Sequence, residues 1–321
     1  MKALVTGATG YVGSHLIKAL IEREYSVVGL VRDFRSNFDQ NWTGVEQRLG
    51  DITNIDTIQQ AITDDIDVVF HLAFSTAPYS NETVNITGIE NLINVCRNRN
   101  LKRFIFISSA LVYGPNDPNQ IVMEDFPGKP NTACGQQQLM VENLLLEAFQ
   151  EDQMPVVIIR PSEIYGGEGG FFGEEHLKGI VSGTMPIVGR GNANISMSHI
   201  DDVVQSLLLV AEVENIEGQI FNINTPDIIT TNELATIISN LAGVRKPIHI
   251  PIAVAWSVAS LAMLYAKFVG TLPFLNYEGV KLATFKAGLR DIQKARDVLH
   301  FQPRFQTIVE GITASYFSNG L

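Results

Sequence analysis

The chain has 321 residues, 45% of them hydrophobic and 18% charged, and carries 23 Lys and Arg against 34 Asp and Glu, a formal net charge of −11. Such a chain can bury the core of one large or two modest globular units, which excludes a disordered polymer. The acidic balance argues against nucleic acid as the main partner, because phosphate binding is driven by Lys and Arg.

Two cysteines, Cys96 and Cys134, cannot form a disulfide framework, so the reading is a reducing, cytoplasmic compartment. The N-terminus is punctuated by glycine from residue 7 and lacks the unbroken apolar run of a signal peptide. Residues 2–6 (KALVT) predict a strand. Apolar positions at Val12, Leu16, Ala19 and Leu20 then recur at helical spacing over 11–22. Between them runs Thr6-Gly7-Ala8-Thr9-Gly10-Tyr11-Val12-Gly13. Glycines so spaced between strand and helix fit a pyrophosphate-binding turn. Gly7 permits the tight bend, Gly10 lets backbone approach the ligand, and Gly13 allows close helix–strand packing. The helix N-terminus adds free N–H groups and the positive end of its dipole. A second strand at 26–31 (SVVGLV) ends at Arg32-Asp33. An arginine here accommodates the 2′-phosphate of NADP, whereas a carboxylate bonds the ribose 2′-hydroxyl of NAD. Arg32, with Arg35 close behind, favours NADP, and Asp33 keeps NAD open.

Further apolar runs at 67–72 (DVVFHL), 103–108 (RFIFIS) and 156–159 (VVII) fit strands covered on both faces, separated by helical stretches at 82–98 and 136–150. Repeated βα units predict an α/β fold, a Rossmann doubly wound parallel sheet with helices on both faces. Residues 1–160 form most of this dinucleotide-binding unit. After Pro161 the texture changes. Glycines cluster at 166–173 and 183–191, as in loops near a ligand, and helices at 201–213, 231–242, 252–267 and 306–317 accompany a strand at 219–223. This half, 161–321, reads as a smaller substrate-binding region with some segments returning to the first unit. From Ile250 to Ala266, 17 residues pass without a charge. Alanines and serines dilute the stretch and Pro251 suits a first helical turn, so it reads as a buried or groove-lining helix without firm membrane association.

These motifs together resemble the extended short-chain dehydrogenase/reductase family, nearest its epimerase/dehydratase, dihydroflavonol-reductase-like and 3β-hydroxysteroid-dehydrogenase-like branches. The glycine segment resembles T-G-x-x-G-x-x-G, and Gly50-Asp51-Ile52 the G-D-I/L whose aspartate, here Asp51, would bond adenine. Phe70-His71-Leu72-Ala73 resembles the strand-four segment beside the cofactor, and Asn85-Ile86-Thr87-Gly88 the N-x-x-G motif, with Ile89 where a threonine is usual. Ser108-Ser109-Ala110-Leu111-Val112-Tyr113-Gly114 resembles the strand end that carries the catalytic serine, here Ser109. Arg160-Pro161 through Tyr165-Gly166 resembles the loop near the nicotinamide. His199-Ile200-Asp201-Asp202-Val203 and Asp291 to Pro303 resemble the family's later signatures, with His300 in place of glycine. The resemblance implies cofactor contacts from Gly7, Thr9, Gly10, Tyr11, Val12, Gly13, Arg32, Asp51, Ile52, Leu72, Ala73, Asn85, Gln138 and Pro161. It also suggests a homodimer through 82–98 and 136–150, where Leu139, Leu144, Leu145 and Phe149 offer apolar positions.

One part of the pattern is missing. Counting back from Glu142, the positions of the family's Y-x-x-x-K pair hold Cys134 and Gln138, and no other Tyr-x-x-x-Lys occurs in residues 110–170. The tyrosine serves as proton donor or acceptor, with its pKa of about 10 drawn down by the lysine and the nicotinamide charge. Gln138 can keep a hydrogen bond to the ribose but brings no charge, and Cys134 is shorter and a poor donor. Losing a positioned general acid costs about 10²–10⁴ in rate. Three readings follow. The chain is an NADP-binding enzyme of non-standard, even non-redox, chemistry on a hydrophobic small molecule, with Ser109, Cys134, Gln138, Glu163 and Tyr165 as its candidate catalytic residues. Alternatively it is an oxidoreductase or epimerase that uses Ser109 and water, or a non-catalytic NADP-sensing protein. Glu163 sits in the loop expected to approach nicotinamide and substrate. Cys134 reads first as an inert cysteine at a helix entry, and as a nucleophile only if it were a thiolate. His176 reads as a surface residue, His199 as a structural one at a helix start, and no metal is expected. The apolar 250–275 stretch points to a polyketide-, terpene- or steroid-like substrate.

Overall fold

A computed structural model describes residues 1–33, 44–75, 82–167, 177–269 and 276–317. Arg35 and His176 lie outside the described residues. Seven strands, β1 (Lys2–Thr6), β2 (Ser26–Val31), β3 (Glu46–Leu49), β4 (Val68–His71), β5 (Arg103–Ile107), β6 (Val156–Pro161) and β7 (Gln219–Ile223), form one sheet in the order β7-β6-β5-β4-β1-β2-β3. Every neighbouring pair is parallel, with Leu4 opposite Val28 and Val69 and Ile105 opposite Val157. The Val- and Ile-rich runs are fully buried because helices cover both faces.

Side chains alternate across the sheet, so the strands feed two cores. Val5, Phe70, Ile105 and Ile159 point to a layer built with α1 (Tyr11–Glu22). Leu4, Val69, Phe104 and Ile158 point to the opposite layer, with α2 (Ile55–Ala61), α3 (Glu82–Cys96) and α4 (Ala133–Asp152). Leu145 is fully buried in that second layer, which withdraws it from the apolar face read for a dimer, whereas Met140 is exposed.

Beyond the sheet come α5 (Leu177–Val181), α6 (Ile200–Glu212), α7 (Thr231–Ala242), α8 (Ile252–Val269), α9 (Tyr277–Ala283), α10 (Gln293–Leu299) and α11 (Ile308–Ile312). Helix α6 returns to the first layer through Val203 and Leu207. Tyr165, Leu177, Met197, Leu234, Ile238 and Ile312 close a separate small core. The pattern-based reading of α8 as a buried or groove-lining helix is corrected here. Its Ala255 and Ala259 are fully buried, but Ile252, Val254, Val258, Leu261 and Leu264 face solvent.

Candidate functional site

Parallel strands all end at one edge, and the winding reverses between β1 and β4, the switch point at which such sheets bind ligands. Thr6 closes β1. Its hydroxyl accepts hydrogen bonds from the Leu72 and Ala73 N–H groups at 3.2 and 3.1 Å and shares one of 2.8 Å with His71 Nδ1. Burial drives the His71 imidazole down to about 4, so it is neutral. The backbone then turns at Gly7, with φ of +68°, where a Cβ would stand 2.8 Å from Ala73 N. The Gly10 N–H donates to Gly7 O at 2.9 Å, and Gly10 takes the N-cap of α1 with no side chain bonding the first-turn amides. Gly13 lies so close to Gly7 O that a Cβ there would collide. The result is a shallow cradle of backbone N–H groups at the positive end of α1, beside exposed Thr9. A side chain at 7 or 13 would force apart the backbone that shapes it. These residues fit the pyrophosphate of a dinucleotide. Tyr11, half-buried with Val12 on the first turn, donates its hydroxyl hydrogen to Gly166 O and so ties the cradle to the segment after β6.

Arg32 is exposed just past β2. Hydrogen bonds from the Thr53 N–H at 2.9 Å and hydroxyl at 2.7 Å hold the Asp51 carboxyl below the usual range, and the nearby Arg32 charge adds to this. Ile52 lies over Gly88, its Cδ1 2.6 Å from where a Cβ would be. Asn85 donates to Ser75 O at 2.9 Å and to Gln137 Oε1 at 2.7 Å, and accepts from the Ser75 N–H at 2.9 Å. It therefore fixes the chain after Leu72 and Ala73 and links α3 to α4.

The other half of the site grows from the ends of β5 and β6 and the start of α4. Ser109 caps the turn at Ala110–Tyr113, its Oγ accepting from the Leu111 N–H at 3.2 Å. Thr132 caps α4, accepting from the Gly135 N–H at 3.1 Å. That start sets Cys134 and Gln138 one turn apart on the same side of the helix. Gln138 is 7% exposed and its Oε1 has no hydrogen-bond partner among the described residues. Pro161 ends β6 in the core, and Glu163 follows in a short strand, Glu163–Tyr165, parallel to Met197–His199. Burial pushes the Glu163 carboxyl above the ordinary range, while the Arg290 guanidinium pulls the other way. Burial, then the charges of Glu163 and Glu278, push the Cys134 thiol up to about 11. Cys134 is thus a thiol at neutral pH, as expected of an inert cysteine at a helix entry and not of a nucleophile.

The sequence profile of the NAD dependent epimerase/dehydratase family matches residues 3–224. The chain belongs to this family. A 3β-hydroxysteroid dehydrogenase/Δ5→4-isomerase of Mycobacterium tuberculosis is 27% identical, over 95% of this chain and 87% of that protein. A decarboxylating sterol-4α-carboxylate 3-dehydrogenase of Mus musculus is 28% identical, over 84% and 77%. Among solved structures, the UDP-glucose 4-epimerase of Thermotoga maritima with UDP-glucose aligns at a TM-score of 0.79 and 21% identity, covering 98% of this chain and 97% of that one. The UDP-glucuronic acid 4-epimerase of Bacillus cereus, in complex with UDP-glucuronic acid and NAD, gives 0.76 at 24% identity, covering 98% of each chain.

Within this epimerase/dehydratase chain, two expected residues take structural places. Tyr165 is fully buried in the small core, edge-on to His199 with ring centroids 5.2 Å apart, and its hydroxyl abuts Gly311. That corrects its reading as a catalytic candidate. His199 caps α6, its Nδ1 accepting from the Asp201 N–H at 3.2 Å, as its place before a helix suggested. Three residues that pattern reasoning missed stand by the site. Arg290, 5% exposed, donates to Gly288 O at 2.6 Å and leaves its Nε without an acceptor among the described residues. Glu278 accepts from the Ala133 N–H at 3.3 Å, and Lys281 binds both Glu278 at 2.9 Å and Asn131 O at 3.1 Å. Arg290 directly precedes the Asp291 motif and could have been read with it. Nothing marked α9, a helix of seven residues.

Proposed function

We propose that this chain is an NADP-binding enzyme that moves a proton on an apolar small molecule without the family's Tyr/Lys pair, with Glu163 as the group that holds the proton. The observation that carries this reading is Glu163 itself. It is a half-buried carboxyl that desolvation holds above the ordinary range, near Cys134, and no hydrogen bond to it is made by the described residues. A carboxyl so placed keeps its proton at higher pH than a free one, as a general acid must. The cradle of Gly7, Gly10 and Gly13 would hold the pyrophosphate, Arg32 the 2′-phosphate and Asp51 the adenine. Gln138 Oε1 would accept from a ribose hydroxyl, and Ser109 stands ready for a substrate oxygen. The bound nicotinamide would supply hydride exchange. An apolar substrate is supported by the steroid-directed names of the two curated relatives.

Titration with NADPH and NADH, followed by cofactor fluorescence, tests the first half. NADPH is expected to bind more tightly, and Arg32→Ala to weaken NADPH at least about tenfold while sparing NADH. Glu163→Gln is expected to lower turnover about 10²–10⁴-fold with cofactor affinity unchanged. Unchanged turnover would remove Glu163 from the chemistry. The absence of Tyr-x-x-x-Lys from residues 110–170 favours a second reading, a protein that binds the dinucleotide without catalysis. Wild type inert on steroid and UDP-sugar panels, with reductase activity gained in Cys134→Tyr/Gln138→Lys, would favour that reading.

A further inference from the structure

The outer face of α8 is apolar and open. Val254 and Val258 are each 45% exposed, Leu261 69% and Leu264 55%, and Ile248 just before the helix is 72% exposed. Val254, Val258 and Leu261 follow at steps of four and three, which places them in one stripe. The opposite face presents Ala255 and Ala259 to Val188 and Val280. Small residues face the protein and large ones face outward, the reverse of a helix that folds by burying its own side chains.

The chain running through this face is basic between Glu233 and Glu278. Residues 234–277 include Arg245, Lys246 and Lys267 and no Asp or Glu, in a chain with 23 basic against 34 acidic residues. Arg245 and Lys246 are exposed. Trp256 lies on the flank of α8 with its ring 5.9 Å from that of Tyr277, which is 36% exposed. No helix among the described residues is long and apolar enough to cross a membrane.

We propose that α8 seats the protein on an anionic lipid surface, with its outer stripe in the boundary between headgroups and acyl chains and Arg245 and Lys246 on headgroup phosphates. An apolar patch rimmed by polar groups marks an interaction site, and Trp, Tyr, Lys and Arg beside it are the residues that prefer a membrane interface. The rest of the acidic chain is repelled by anionic headgroups, so only this face docks. A second copy of the same face would bring basic rims together. Helix α8 packs on α9, whose Glu278 reaches the first residue of α4, so the lipid seat adjoins the scaffold of Cys134.

Flotation of the whole protein with phosphatidylcholine vesicles, with and without phosphatidylglycerol, tests this. The protein is expected to float with the anionic vesicles and to partition at least about tenfold less onto phosphatidylcholine alone or in high salt. Val258→Glu/Leu261→Glu should abolish flotation. Arg245→Glu/Lys246→Glu should lower binding to anionic vesicles at least about tenfold and leave the weak binding to phosphatidylcholine unchanged. Melting curves matching wild type would show that both variants fold. Wild type left at the bottom of the gradient with anionic vesicles would overturn the proposal, as would equal flotation of Val258→Glu/Leu261→Glu. A dimer in sedimentation equilibrium that Val258→Glu/Leu261→Glu dissociates would also overturn it, assigning the face to a second copy.

Discussion

The Thr6 hydroxyl meets the Leu72 amide, the Ala73 amide and His71 Nδ1 at once, where β1 and β4 reach the glycine cradle. Leu72 N–H has a second acceptor in Thr6 O at 3.3 Å, so Ala73 N–H and His71 depend most on the side chain. Thr6→Val keeps the volume and removes the acceptor. Each orphaned buried group costs about 1–3 kcal/mol, so we expect urea unfolding to show a loss of about 2–4 kcal/mol, with Thr6→Ser recovering most of it. A loss under about 0.5 kcal/mol would mean that another acceptor takes over. The same bookkeeping separates the candidate residues. Gln138 and Tyr165 each leave a buried oxygen unpartnered among the described residues and Glu163 has a raised carboxyl, but Tyr165 lies wholly inside the small core. Sequence alone could mark all of these as candidates, because it shows residue type and order but not whether burial leaves a polar atom without a partner.

At the scale of elements, α4 is held to β6 by a buried pair. Arg160 donates from Nε and Nη2 to the two oxygens of Glu142 at 2.9 and 2.6 Å, and from Nη1 to the Tyr113 hydroxyl at 2.8 Å and Glu124 O at 3.0 Å. Tyr113 in turn donates to Asn222 Oδ1 of β7 at 2.7 Å. Removing one partner strands a buried charge, so Arg160→Met is expected to cost about 3–5 kcal/mol, and Arg160→Met/Glu142→Leu to cost less than Arg160→Met alone. Chemical denaturation of wild type, both single variants and the double variant reads this coupling, and additive losses would dismiss it. The elements themselves were unevenly legible. Strands β1, β2, β4, β5 and β6 show in the sequence because strands buried on both faces are continuous apolar runs. Strand β3 (EQRL) was missed because it is a mostly exposed edge, held by backbone pairing with β2. The helices α2, α9 and α10 have seven residues each, too few to show a helical period. For α8 the helix was legible but its orientation was not. Apolarity all round does not say which face the protein covers, and the small alanines turned inward.

Over the whole molecule, buried titratable groups pull stability in opposite directions as pH changes. Burial draws His71 down to about 4, and burial with the Arg304 and His15 charges does the same to His199. An unfolded histidine titrates near 6.5, so the unfolded chain binds more protons between about 4 and 6.5. Their contribution is therefore full above that window and is lost as pH falls through it. Asp202 acts the other way. Burial raises its carboxyl to about 6, against the bond that Oδ1 accepts from the Arg304 N–H at 2.7 Å, and Oδ2 has no partner among the described residues. Here the folded state holds a proton that the unfolded chain has released, so Asp202 costs stability as pH rises from about 4 through 6. Asp202→Asn keeps the Oδ1 acceptor and cannot ionise. Its stability relative to wild type should therefore climb by about 2–3 kcal/mol between pH 4 and pH 7, the size of the carboxyl's displacement. Urea midpoints of the two proteins at pH 4, 5, 6 and 7 measure that climb with the histidine contribution common to both. A difference constant with pH would show that the helix N-terminus and the Arg304 amide offset the burial of Asp202, leaving its carboxyl as acidic in the folded protein as in the unfolded chain.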